Sequence, residues 1–395
     1  MDRSLNPYNP GAGLRPPALV GREAEIEAFD ATVARTRLHM PNRGMVLSGL
    51  RGVGKTVLLN DLRGRAEQMG WFVAAIEGQR GEQGEDAVRR KLGRELLIAG
   101  RQLNRRGISK RLRTALGSIT SFSVGVTGIS LDVSAASGRA DSGDLETDIG
   151  ELVEDLAEAL KEKGLAFALF IDEMQDLDQP TLSALLAAQH EAGQRERPFY
   201  IIGAGLPSLP AVLSEARSYA ERLFDYRRIG ALPNEVARKA LREPAKKYGS
   251  DYEPGALDLL VDAAEGYPYF LQEYGRAIWD IAPNTPFTCD DAAAAVAYGL
   301  ARLDEGFFRA RWDRATPAER RLLHAMAQDD GAASNTTSVA ERLGKKLSGI
   351  GPARAHLISK GLIYAPDHGM VAYTVPGMAP FIRRQHEAAA SGKGA

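Results

Sequence analysis

One octapeptide, Gly49-Leu50-Arg51-Gly52-Val53-Gly54-Lys55-Thr56, limits what this chain can fold into more than any other stretch. It fits the phosphate-binding pattern G-x-x-x-x-G-K-[ST] at every fixed position. A triphosphate is densely anionic and has to be met by backbone amides that a Cβ would hold away, which is the use of Gly49, Gly52 and Gly54. Lys55 reaches the β- and γ-phosphates as a point charge, and Thr56 offers its hydroxyl to Mg²⁺. Val57 follows at the start of a helix whose N-terminus faces the anion, and Val53 contributes loop backbone. The context agrees: Gly44-Met45-Val46-Leu47-Ser48 reads as a short buried strand, and apolar residues recur at helical spacing from Thr56 to Met69. Strand, loop and helix in that order call for ATP with Mg²⁺.

A second segment completes the chemistry. Leu165-Ala166-Phe167-Ala168-Leu169-Phe170-Ile171 is an unbroken apolar run ending in Asp172-Glu173. A strand buried on both faces shows no polar alternation, and ligands of parallel sheets bind beyond the carboxyl ends of the strands, where these two acids fall. Asp172 is placed to hold the Mg²⁺ shell and Glu173 to orient and deprotonate an attacking water, so Glu173 and Lys55 are the catalytic candidates in this half of the site.

Composition narrows the class. At 395 residues and 44% hydrophobic content the chain can bury more than one core, and two or three domains are expected. A net charge of −1 announces no global field for nucleic acid or membrane, so any basic surface is local. Cys289, the single cysteine, makes neither an internal disulfide nor a metal cluster, as befits a reducing compartment. The N-terminus lacks the apolar core of a signal peptide, and no apolar run approaches the ~20 residues of a membrane helix. A cytoplasmic protein without a membrane partner is expected.

Residues 1–18 read as a flexible arm, since Asn6-Pro7-Tyr8-Asn9-Pro10-Gly11 and Arg15-Pro16-Pro17 break regular structure. Val20-Gly21-Arg22 then opens an amphipathic helix reaching about His39. Lying just upstream of a phosphate loop, this segment resembles the adenine-contacting entry of AAA+ ATPases of the origin-recognition-like kind. The resemblance implies that Val20, Gly21 and Arg22 lie near the base and that residues 19–232 are the ATPase core. Trp71 to Ile76 is its second strand, and about 81–143 is an insertion. Between Arg89 and Arg113 stand ten Lys or Arg and one acid, either a solvated helical face or a nucleic-acid contact. Alternation about Thr127-Gly128 predicts a β-hairpin over 121–133, with Phe122 opposite Val133. From Asp141 to Glu158 there are eight acids and no base, with Ile149, Leu152, Val153, Leu156 and Leu160 at helical spacing.

After the acidic pair comes a helix from Leu182 to Ala192 and the strand Phe199 to Gly203. AAA+ proteins carry a polar sensor near there, whereas this chain has Gly203-Ala204-Gly205-Leu206-Pro207, with Ser208 the nearest substitute. Arg222 stands where the family places an arginine finger, which would act on a neighbouring subunit; the alternative is a structural Arg paired with Glu221 or Asp225. Residues 233–310 read as a helical lid. Its Gly266-Tyr267-Pro268 looks like the Gly-x-Pro element of signalling ATPases, which implies Pro268 packing on the base or ribose, with Arg276 a substitute for the absent second-sensor cation.

The final section, 311–395, is marked by capping-box sequences at Thr316-Pro317-Ala318-Glu319 and Ser338-Val339-Ala340-Glu341. With a third helix over about 351–360 and a two-stranded turn at Asp367-His368-Gly369, it predicts a winged helix. It carries 12 Lys or Arg against 7 acids, an asymmetry that favours double-stranded DNA through Lys345, Lys346, Arg354 and Lys360 over docking on protein. The expectation is thus an α/β P-loop parallel sheet with a helical lid and a C-terminal winged helix. Functionally it is an ATP-hydrolysing, origin-recognition-like protein coupling nucleotide state to DNA, alone or as a homo-oligomer. The alternative is a nucleotide-switched signalling or scaffold ATPase whose winged helix meets a protein partner.

Overall fold

The computed structural model describes residues 2–79, 85–104, 110–123, 135 and 139–391. The chain divides into two compact units: an α/β unit of Arg22–Ser48 with Lys55–Arg228, and a largely helical unit of Met1–Gly21, Gly49–Gly54 and Ile229–Ala395.

In the α/β unit, α1 (Glu23–Arg37) leads to β1 (Gly44–Ser48), α2 (Lys55–Gln68) and β2 (Phe72–Glu77). Three helices follow, α3 (Glu85–Asn104), α4 (Lys110–Phe122) and α5 (Leu145–Lys161), then β3 (Phe167–Asp172), α6 (Gln179–Gln194) and β4 (Phe199–Gly205). The unit ends with α7 (Leu209–Ala216), α8 (Ala220–Leu223) and β5 (Phe224–Arg228). The five strands form a parallel sheet in the order β2-β3-β4-β1-β5. β1 and β4 are buried at every position, which is why their sequences are apolar without alternation. Gly44 is required at the start of β1, because a Cβ there would lie 2.4 Å from the Ile201 carbonyl oxygen. Gln189 of α6 ties β4 to the end of α8, accepting from Ile201 N–H at 2.7 Å and donating to the Leu223 carbonyl at 3.0 Å.

The expected insertion is part of this core. Val88, Leu92, Leu96, Leu116 and Ile119 join the same hydrophobic cluster as Leu152 and Phe167. The expected hairpin is corrected at its start: Phe122 ends α4 with its ring fully buried, because Leu112, Leu116, Ile119 and Phe122 keep helical spacing and that longer period wins over local alternation. Residues 124–133 lie outside the described residues. In the described part of the basic stretch, Arg90, Arg94 and Arg101 are exposed. The acidic helix α5 is answered by Arg139 on Glu151, Glu154 and Asp155, by Arg197 on Glu154 and by Arg89 of α3 on Asp148.

In the helical unit, α9 (Asn234–Lys247), α10 (Pro254–Ala264), α11 (Pro268–Ile281) and α12 (Cys289–Arg302) precede a π-helical turn, Leu303–Phe308, and α13 (Arg309–Trp312). Then come α14 (Pro317–Met326), β6 (Ser334–Asn335), α15 (Thr336–Arg342), α16 (Gly351–Ser359), β7 (Ile363–Tyr364), β8 (Met370–Tyr373) and α17 (Met378–Ser391). The short strands form an antiparallel sheet, β6-β8-β7. One hydrophobic cluster runs from Leu232 to Ile382, so packing is continuous across residue 310.

Two expectations are corrected here. The N-terminal arm lacks long elements but is docked: Tyr8 is 3% exposed, Asn6 Nδ2 donates to Asp280 at 2.8 Å, and Trp279 Nε1 donates to the Asp2 carbonyl at 2.9 Å. Gly275 makes the room, since a Cβ there would sit 2.7 Å from the Tyr8 ring. Prolines and glycines exclude regular structure, not burial. The capping box at Thr316 and Glu319 forms in both directions, but the one at Ser338 does not. Asn335 caps α15, accepting from Thr337 N–H at 2.9 Å, because pairing of β6 with β8 fixes the helix start earlier.

Asp148 holds the insertion to the sheet-side helices. Fully buried, it accepts from Ser142 N–H at 2.8 Å and Ser142 Oγ at 2.7 Å, and from the Arg89 guanidinium. Burial alone would raise its carboxyl, but the bonds from Ser142 and Arg89 outweigh it and hold the group below the usual carboxylate range. A depressed folded-state pKa adds stability that is full above the unfolded value and is lost as pH falls through the folded one. Asp148→Ala should therefore cost about 3–5 kcal/mol in urea unfolding near neutral pH, and Asp148→Asn should flatten the acid limb of stability against pH. An unaltered urea midpoint in both would refute this role.

Candidate functional site

The phosphate loop is built by exclusion of side chains. A Cβ on Gly49 would lie 2.1 Å from the Ile229 carbonyl oxygen, and Gly52 and Gly54 sit at φ +87° and +90°, the left-handed region that glycine takes without strain. Nothing lies within 4 Å of where a Gly54 Cβ would point. Within the helical unit the loop backbone is held on two sides, by Arg51 N–H donating to the Thr374 carbonyl at 2.9 Å and by Tyr269 N–H donating to the Gly52 carbonyl at 3.3 Å. Val53 is buried, and Val20 and Pro268 belong to this unit, both half-buried, with Pro268 opening α11 next to Tyr269.

In the α/β unit the chemistry gathers at the carboxyl ends of the strands. Lys55 and Thr56 begin α2, with Lys55 8% exposed and Val57 half-buried. Thr56 Oγ1 donates to Asp172 Oδ2 at 2.7 Å, across 116 residues of sequence. Asp172 Oδ1 accepts from Glu173 N–H at 2.9 Å. A hydroxyl and a carboxylate are the hard oxygen donors that Mg²⁺ takes alongside substrate phosphates. Among the described residues no cluster of three or more His, Cys, Asp or Glu could cage a metal by itself. The residues therefore fit a cation brought in with a nucleotide.

Glu173 is held by a residue that sequence reasoning missed. Its backbone is left-handed at φ 45°, and Gly78, just past the end of β2, must be bare, because a Cβ there would stand 2.4 Å from the Glu173 carbonyl oxygen. Gln175 Nε2 donates to Glu173 Oε2 at 2.6 Å, and its own Oε1 accepts from Leu206 N–H at 3.0 Å. This explains the missing polar sensor. A Cβ on Gly205 would sit 2.2 Å from Gln175 Oε1 and one on Gly203 2.5 Å from Met174 Sδ, so the end of β4 is bare because the turn after β3 fills its place. The available signal was Gly-Ala-Gly at one strand end paired with a glutamine two residues past the acids of another.

Thr56, Asp172 and Glu173 are thus brought together, and Arg222 is not one of them. Arg222 is exposed at the end of α8, just before Phe224, which pairs with Gly44 at the amino end of β1. Four residue steps along β1, roughly 13 Å, separate that edge from Ser48. Asp225, one of its expected partners, is bonded instead to Arg227 at 2.6 Å. Of the expected DNA contacts, Lys345 and Lys346 are exposed and Arg354 is half-buried. Lys360 is corrected: its Nζ donates to Glu319 at 2.6 Å and to the Arg314 carbonyl at 2.9 Å, so it ties α16 to α14.

Residues 18–202 match the family model of the AAA ATPase domain, and residues 305–382 match a domain of unknown function, DUF8462. No curated protein matches the chain. In fold it is similar to a Walker-type ATPase of Pyrococcus abyssi, at 15% identity and a TM-score of 0.59, covering 93% of this chain and 97% of that one. Looser likenesses include the RuvB Holliday junction branch migration motor of Thermotoga maritima, at 15% identity, a TM-score of 0.45 and coverage of 91% and 96%. Another is the Orc1 protein of Aeropyrum pernix in complex with DNA, at 17% identity, a TM-score of 0.44 and coverage of 94% and 95%. Among the described residues no helix is long and apolar enough to cross a membrane. The glycine loop and the acid-tipped strand β3 both lie within residues 18–202, the stretch that matches the AAA ATPase domain.

Proposed function

We propose that the chain binds and hydrolyses ATP with Mg²⁺ and couples nucleotide state to double-stranded DNA. The observation that carries the ATPase reading is the Thr56–Asp172 hydrogen bond at 2.7 Å with Glu173 fixed beside it by Gln175. Loop amides from Gly49 to Gly54 and the Lys55 ammonium neutralise phosphate charge, while Val20 and Pro268 contact the base or ribose. Thr56 and Asp172 hold the cation, which supplies charge neutralisation on the transferring phosphoryl group. Glu173 accepts the proton of the attacking water. Gln175 keeps that carboxylate aimed by donating to its Oε2.

Arg222 lies at the wrong edge of the sheet to serve its own phosphates, which supports a finger acting on a second copy in a homo-oligomer. For residues 311–395 the helices α14 to α16 with the β6-β8-β7 sheet support a winged helix. Its charge surplus and the exposed Lys345, Lys346 and His368 favour DNA, with Arg354 as the base-reading candidate. One observation favours a second reading, a signalling switch that docks on protein: the Thr374 carbonyl already engages the phosphate loop at Arg51 N–H.

Lys55→Ala should abolish ATP binding, whereas Glu173→Gln should keep it and lower turnover by about 10²–10⁴. Gln175→Ala should lower turnover with ATP affinity unchanged, the pattern of a transition-state role. Turnover by Glu173→Gln at the parent rate would remove the base assignment. Hydrolysis per subunit should rise with protein concentration and Arg222→Ala should blunt that rise; a strictly monomeric, dilution-insensitive enzyme would argue for a site complete in one chain. For DNA, fluorescence anisotropy with a duplex should give a log affinity falling with log salt. Lys345→Glu with Lys346→Glu should reduce the slope by about 0.9 for each phosphate that is no longer neutralised. Should the full chain with ATP show no salt-dependent duplex binding, the docking reading replaces the DNA one.

A further inference from the structure

The helical unit holds a second concave site whose lining includes none of the phosphate-loop residues, although it does include Arg276, expected above as a second-sensor substitute. Arg276 of α11, Arg302 at the end of α12 and Arg311 of α13 converge on a cavity of about 390 Å³, walled also by Tyr269, Glu273 and Phe307. That volume is in the range of small-molecule sites. The π-helical turn Leu303–Phe308 brings this about: it follows Arg302 directly, places Gly306 on the cavity wall and turns Phe307 toward it.

The charges do not balance. Arg302 is answered by Glu273 at 2.9 Å, and burial raises the Glu273 carboxyl despite that partner. Arg276 reaches Asp280 only at 3.7 Å, and Asp280 already accepts from Asn6 Nδ2 at 2.8 Å. Arg311 makes no carboxylate pair among the described residues; its Nη1 donates to the Phe307 carbonyl at 2.5 Å and its guanidinium lies 4.0 Å over the Phe307 ring. Burial, followed by the like charge of Arg51, pushes Arg311 down to about 10. A helix-dipole role accounts for Arg302 in the last turn of α12, but not for Arg276 in the middle of α11 nor for the inward packing of Arg311. Half-buried guanidiniums outnumbering carboxylates around a cavity are stabilised by an anion, which planar N–H forks grip through paired oxygens.

We infer that this cavity is a second anion site, taking a small phosphate-bearing ligand on Arg276, Arg302 and Arg311. It is wired to the phosphate loop, since Tyr269, which stacks on Phe307 with ring centroids 4.7 Å apart, donates its N–H to the Gly52 carbonyl. A ligand here is an effector of the loop.

The test is calorimetric titration of the full chain, with inorganic phosphate in one arm and AMP in the other to separate a free anion from an esterified one. The proteins are the parent, Lys55→Ala and Arg311→Gln. Binding of either probe should persist in Lys55→Ala and weaken at least tenfold in Arg311→Gln, with a melting curve confirming that the variant folds. Arg302→Gln replaces it if it does not. Loss in Lys55→Ala with retention in the arginine variant would assign the anion to the phosphate loop and overturn the proposal. So would weak binding that neither substitution alters, an adventitious ion only. Because the probes need no hydrolysis, failure of the ATPase reading leaves this outcome readable.

Discussion

A sheet buried on both faces can place polar chemistry only where its strands stop, and this sheet obeys that constraint. β1 and β4 offer no exposed side chain along their length, so the polar groups of the candidate site take their places at the carboxyl edge. Ser48 pairs with Gly205 and Glu77 with Asp172, which brings the ends of four strands into one row. The threonine hydroxyl and the two acids take their places from that edge. Register is the controlling quantity, because a slip of one residue would turn Asp172 away from Thr56.

What was legible in the sequence was what a local pattern dictates. The octapeptide spells out a backbone shape, and an unbroken apolar run ending in two acids specifies both burial and edge. Contacts made across distant segments were not legible. Gln175 looks like any surface glutamine until the bare end of β4 is laid beside it. Phe122 reads as strand over six residues and as helix over twelve, and the longer period prevails because its leucines share a core with α5. Lys360 counts as a free cation in any census of charge, yet Glu319 of the capping box claims it. Tyr8 stands among prolines and is nonetheless buried, since the space it fills is created by Gly275 more than 260 residues away.

The charge of the C-terminal residues shows the same distinction between number and place. Arg342 pairs with Asp329, Arg383 with Asp330 and Arg384 with Asp304, so these three cations hold α15 and α17 to their surroundings. Among the described residues Lys345 and Lys346 after α15 and His368 on its turn are exposed, as are Arg314, Arg321 and His356 elsewhere on the section. A partner that recognises any of these points will have an affinity that responds to ionic strength.

The fit of Gln175 against Gly205 also has a consequence for how such chains diverge. The amide oxygen stands where the first carbon of any side chain at 205 would have to go. A lineage that acquires a side chain at the end of β4 has to swing or lose the glutamine, and either change takes a hydrogen bond away from both Glu173 and the Leu206 amide. The two positions compete for one structural slot, so a change at one is felt at the other.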